Sequence, residues 1–188
     1  MKIVLAGRYQ VAVGFIQGIL GYEWFTGGLE KTGPTYISGM AGTISAFASK
    51  NPNGWVKSFL LGTVLPNATA FGYLVLLGEI LAGLALMATG ILLLIQATHA
   101  IQTTVMAVTA IATFGTMIMS YAYWEAAGWL SPSTAGINFV MGLAELGLFA
   151  LAVYALASPS SPQLLMGRQA AVLPQKQEST NSNPALRL

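Results

Sequence analysis

A chain of 188 residues that is 55% hydrophobic and only 7% charged is not an ordinary soluble domain, in which roughly a quarter of residues carry charge. Its net charge of +2 comes from scattered lysines and arginines, so no basic patch points to nucleic acid. With no cysteine and one histidine, His99, it holds no disulfide, iron–sulfur cluster, thiolate metal site or bis-histidine haem of its own.

The acids are all glutamates, so chemistry must use glutamate, hydroxyl, amide and aromatic groups, or a bound organic cofactor. The composition leaves room for about four membrane spans. The expected fold is all-α: a four-helix transmembrane bundle in residues 1–157, with short interfacial or re-entrant helices in the first loop.

The first span is expected over about residues 8–25, after Lys2 and Arg8. The GYEWF that follows lacks a small-residue cleavage site, so this reads as an uncleaved helix. Gly14 and Gly18 form a G-x-x-x-G pair suited to close helix packing. Glu23, Trp24, Glu30 and Lys31 read as anchors at the far interface. The loop 26–66 is turn-rich at first, then apolar over 35–65 in pieces too short to span. Such pieces suit helices lying against the membrane or the bundle.

The second span, about 67–95, is long enough to cross a hydrocarbon core of about 30 Å. Asn67 is its expected N-cap. Gly72, Leu76, Glu79, Gly83, Leu86 and Gly90 fall at spacings of three and four, one glycine-rich face of a helix. Glu79 is the span's single charge. Its cost in lipid, at least about 2.5 kcal/mol, turns that face inward.

His99 is expected in the turn before a third span at about 100–123. There Gln102, Met106, Thr109, Thr113, Thr116, Ser120 and Tyr123 form a polar stripe. Threonines on a helix commonly return their hydroxyls to their own backbone, but so many polar groups on one face point into the bundle. The fourth span, about 133–157, groups Asn138, Gly142, Glu145, Phe149 and Ala152 on a face. Glu145 lies about as far along its helix as Glu79 does along its own, so two carboxyls at similar depth could share a proton.

Residues 158–188, rich in Ser, Pro, Gln and Asn, make a tail that cannot form a core and is expected to dock on a partner subunit. The distribution of lysine and arginine favours cytoplasmic termini, with Trp24, Trp55, Trp124 and Trp129 as an outer belt.

Three features together resemble the DoxX-like membrane proteins, in particular their DoxD branch. They are Arg8 with its glycine-containing span and the exit Gly27-Gly28-Leu29-Glu30-Lys31; Gly78-Glu79-Ile80-Leu81-Ala82-Gly83-Leu84 with Gly90; and four spans with a long first loop holding Asn51, Pro52 and Trp55. The likeness covers about residues 8–157.

It implies an integral subunit of thiosulfate:quinone oxidoreductase in a prokaryotic inner membrane, with quinone as cofactor and other subunits as partners. The resemblance carries no role onto Glu145; burial and matching depth make Glu79 and Glu145 candidate proton or quinone residues, with Thr109, Thr113, Thr116 and Asn138 as candidate cofactor contacts. The rival readings are a non-catalytic scaffold subunit of a larger respiratory or photosynthetic complex, and a small transporter whose path Glu79, Glu145 and the threonines line. A family name alone does not assign an activity.

Overall fold

In the computed structural model, residues 7–95, 99–127 and 132–157 are described, and all their regular structure is helical. The helices are α1 (Gly7–Glu30), α2 (Tyr36–Lys50), α3 (Gly54–Phe59), α4 (Ala68–Leu94), α5 (His99–Ala127) and α6 (Pro132–Ala157). The tail 158–188, Trp129 and the side chains of Arg8 and His99 fall outside the described residues. The backbone places His99 at the start of α5 rather than in a turn.

Three helical stretches among the described residues are long and apolar enough to cross a membrane: Gly54–Leu94, Ile101–Ala127 and Gly136–Ala157. These mark a membrane protein. Their outward surfaces carry Leu74, Leu77, Leu81, Ile111, Phe114, Val140 and Leu143, large apolar residues left exposed in the isolated chain, as a lipid-facing surface requires. α1 is less apolar and is not among the three.

The first of these stretches is 41 residues long because the helix does not begin at Asn67. A π-helical turn (Leu60–Val64) and a 3-10 turn (Leu65–Asn67) join α3 to α4. Pro66 is the cause: it has no N–H to give to the preceding turn, and its ring crowds the carbonyl there, so the ladder shifts register. The expected Asn67 cap is absent; its side-chain Nδ2 instead donates to Thr63 O at 2.9 Å, one turn back.

The first loop is thus helical, as its apolar composition requires. Met40, Ile44, Ala48, Val56, Leu60, Val64 and Ala68 form its core. Asn51 fixes it to α5: Nδ2 donates to Glu125 O (2.7 Å) and Ala126 O (3.2 Å), while Oδ1 accepts from Asn53 N. Those carbonyls end α5 and lack helical partners of their own.

α1 runs antiparallel along α4, and glycines set the distance between them. A Cβ on Gly83 would lie 2.5 Å from Phe25 N, and one on Gly21 would lie 2.7 Å from Met87 N and 2.8 Å from Gly83 O. Gly14 and Gly90 meet in the same way, and Gly28 meets Ile80. Inside lipid, helices gain little by hiding apolar surface from each other, so backbone approach and van der Waals contact carry the association. Both members of the expected Gly14–Gly18 pair lie against Gly90, where a Cβ would sit 2.8 Å from Gly14 O and 3.0 Å from Gly18 N, although a Cβ on Gly18 itself would meet nothing. α5 packs antiparallel on both α4 and α6, with Met119 against Gly78 and Phe114 against Phe149.

Candidate functional site

The interior between α1, α4, α5 and α6 is polar along one line. Every seventh residue of α1, Gln10, Gln17 and Trp24, is buried there, and Lys31 follows at the same interval. On α5 the expected stripe faces the same line: Thr109, Thr113, Thr116 and Ser120 are fully buried, and Tyr123 continues it. The 3,4 spacing put these residues on one face, and the burial follows from their facing α1 and α6 rather than lipid.

Both glutamates turn inward, Glu79 with 1% of its surface exposed and Glu145 with none. Lys31 Nζ donates to Glu79 Oε2 at 2.7 Å, forming an ion pair, and Tyr123 OH donates to Oε1. Lys31 folds back along α1, giving a second hydrogen bond to Gly27 O (3.1 Å), and its side chain keeps 25% exposure. Gly27 lies directly beside the pair: a Cβ there would sit in ordinary contact, 3.6 Å from Glu79 Oε2 and 3.8 Å from Lys31 Nζ.

Glu145 has a different shell. Trp24 Nε1 donates to Oε1 at 2.6 Å and Ser120 Oγ to Oε2 at 2.9 Å, and the Thr116 hydroxyl is a third partner. All three donors are neutral.

The two carboxyls lie at similar depth, one beside Gly27 and the other on Trp24, about one helical turn apart along α1. They do not share a hydrogen bond, so a single proton held between them is not the arrangement here. Instead the rings that serve them stack: the centroids of Trp24 and Tyr123 are 6.2 Å apart at an interplanar angle of 26°. A connected cluster results, Lys31–Glu79–Tyr123 against Trp24–Glu145–Ser120. It joins a cation, two carboxyls, a phenol and an indole inside the helix packing.

At its outer end, Tyr36 of α2 is close enough to feel Glu79. Burial, and then the Glu79 charge, push its hydroxyl up to about 12.

Thr113 returns its hydroxyl to Thr109 O (2.7 Å), as isolated helical threonines do, whereas the Thr116 hydroxyl is shared between Thr113 O (3.2 Å) and Glu145. Thr109 accepts from Gln17 Nε2 at 2.8 Å. The expected cofactor contact Asn138 lies away from the threonines. It lines an outward groove of about 160 Å³ between α5 and α6, with Ser120, Tyr121, Trp124, Phe139 and Gly142. Ser120 belongs to both places, lining the groove while donating to Glu145. Among the described residues, no group of three or more His, Asp or Glu side chains is placed to hold a metal ion.

Two residues that read as interfacial anchors are part of the cluster instead. Trp24 is 4% exposed and Lys31 is the partner of Glu79, whereas Trp55, Glu23 and Glu30 are exposed as expected. The available signal was the seven-residue interval from Gln10 through Gln17 and Trp24, a face of its own on α1, to Lys31 just beyond its end. Compared with known proteins, the chain matches no family model, no curated protein and no solved structure.

Proposed function

We propose that this chain is a DoxD-like integral subunit of a quinone-linked membrane redox complex, in which Glu79 and Glu145 handle the protons that accompany quinone reduction. The observation that carries the reading is the pair of carboxyls, both closed off from solvent and connected through the stacked Trp24–Tyr123 rings. Ionisable groups at that depth are costly, and without a role a membrane helix does better with apolar residues. General acid–base work needs carboxyls held by fixed partners, as these are.

On this reading α1 is the fourth span, beside α4, α5 and α6. Its 24 residues rise about 36 Å, enough for the bilayer core. Its lower apolarity comes in part from Gln10, Gln17 and Gly21, which face protein and not lipid. The termini lie on the cytoplasmic side of a prokaryotic inner membrane, and the tail 158–188 docks on the partner subunit that holds the redox centres.

A scaffold role in a larger complex is the second reading. It is favoured by the completeness of the pairing: both oxygens of each carboxyl have a donor, as in a structural clamp holding α1 to α4 and α6. Purification of the tagged chain from its own membranes, followed by assay of quinone reduction, tests the proposal. A copurifying subunit with redox centres and quinone-reducing activity supports it. A lone homo-oligomer, or a partner complex that never reduces quinone, contradicts it.

A further inference from the structure

Gln17 is fully buried, and its amide is oriented by its neighbours. Nε2 donates to Thr109 Oγ1 (2.8 Å) and reaches Thr89 Oγ1 (3.4 Å). Thr89 gives its own proton to Ala85 O (2.8 Å), so towards Gln17 it accepts, which fixes the nitrogen on that side. The opposite atom, Gln17 Oε1, is then a buried amide oxygen without a protein donor. Such an oxygen is rarely left bare, and a water molecule is the smallest group that satisfies it.

From Gln17 the buried hydroxyls of Thr109, Thr113, Thr116 and Ser120 continue along α5 to Glu145. Eleven residues separate the first from the last, a rise of about 16 Å, or half a bilayer core. Helix neighbours three and four apart stand about 5–6 Å from each other between Cβ atoms, roughly two hydrogen-bond lengths, a span that one water would bridge. In the other direction, Gln10 and half-buried Gln102 each lie seven residues before the Gln17–Thr109 contact, towards the end where α1 begins.

The geometry points to an internal water path along the Gln17–Thr109–Thr113–Thr116–Ser120 column, by which protons reach Glu145 from the end of the helix packing where α1 starts. It rests on the proposed proton role of Glu145 for its purpose, though not for its detection. Each step breaks one O–H bond and forms another: an oxygen accepts a proton from the previous water and releases its own to the next, for which Thr113 and Thr116 turn their hydroxyl protons away from the Thr109 and Thr113 carbonyls. The hydroxyls then rotate back. No net charge stays on the column, and the proton ends on Glu145.

Exchange of side-chain N–H protons with D2O, followed by NMR on the full chain in lipid nanodiscs, tests the path without any enzymatic assay. The Trp24 indole N–H reports the Glu145 end and the Gln17 amide the other; loss of signal in Trp24→Phe assigns the indole. The path predicts that both groups exchange within an hour although fully enclosed. Thr113→Val should slow Trp24 at least tenfold while leaving Gln17 unchanged, and Thr113→Ser, which restores a hydroxyl, should return the wild-type rate.

Thr109→Val gives the same comparison if Thr113→Val does not fold. Protection of both groups for a day in the wild type overturns the proposal. So does Trp24 exchange that is indifferent to Thr113→Val, or a serine variant as slow as the valine. A working path beside normal quinone turnover in Glu145→Gln would count against the assigned role of Glu145 alone.

Discussion

α1 and the residue after it carry two stripes with the same seven-residue period: Gly14, Gly21 and Gly28 on one, and Gln10, Gln17, Trp24 and Lys31 on the other. The glycine stripe meets α4 backbone to backbone, and its function is to have no side chains. On the neighbouring helices the polar stripe meets side chains: Thr89 and Thr109, then Glu145, then Glu79. The two are coupled by distance. Only because α1 lies so close to α4 can Lys31, folded back over Gly27, reach Glu79 at 2.7 Å. A closely packed helix pair thus positions a polar cluster that neither helix could hold alone.

The comparison breaks most severely through the glycines. Gly83→Ala places a Cβ 2.5 Å from Phe25 N, where only backbone can give way, so we expect a loss of about 3 kcal/mol in thermal unfolding in mild detergent. Gly18→Ala, with nothing near its Cβ, should be neutral or stabilising by up to about 1 kcal/mol through helix propensity. Equal effects at the two positions would mean that the glycine contact does not set the spacing.

The polar stripe comes next. Lys31→Met leaves Glu79 without its cation. Removing one partner of a fully buried pair costs about 3–5 kcal/mol. Lys31 is one-quarter exposed, so about 2 kcal/mol is expected here. Adding Glu79→Gln should recover at least half of that loss, and a double variant less stable than Lys31→Met would contradict the pairing.

The smallest effect lies at the edge of the cluster. Tyr36, pushed up to about 12 by burial and the Glu79 charge, is held protonated in the folded chain more strongly than in the unfolded one. Its contribution is complete below about pH 10, the unfolded value, and is lost as pH rises through about 12. Tyr36→Phe should therefore flatten the alkaline fall in stability over that window, and an unchanged profile would mean that neither burial nor Glu79 holds the Tyr36 hydroxyl protonated.

Much of this was legible in the sequence wherever a periodic pattern met a large energetic penalty. Glu79 and Glu145 had to face inward because lipid is costly for them, and the spacing of Thr109, Thr113, Thr116 and Ser120 marked one face of α5. The apolar first loop had to fold against something. Lys31 and Trp24 were missed because both also suit a membrane interface, and local sequence does not say which way a long side chain bends. The run from Gly54 into α4 was hidden by Pro66, which ends most helices but here is absorbed by a π turn and a 3-10 turn. The separate shells of the two carboxyls depend on which donors α1 and α5 bring, and matching depths do not reveal that.

Quinone reduction by the purified complex carrying Glu79→Gln tests the central claim most directly. Glutamine is nearly isosteric and keeps a hydrogen-bond acceptor for Tyr123 but gives up the anion paired with Lys31, so assembly should survive with a loss of about 2 kcal/mol. An amide does not take up and release protons, so turnover should fall by about 10²–10⁴-fold. Normal turnover in a normally assembled complex would contradict the account and leave Glu79 as a clamp between α1, α4 and α5.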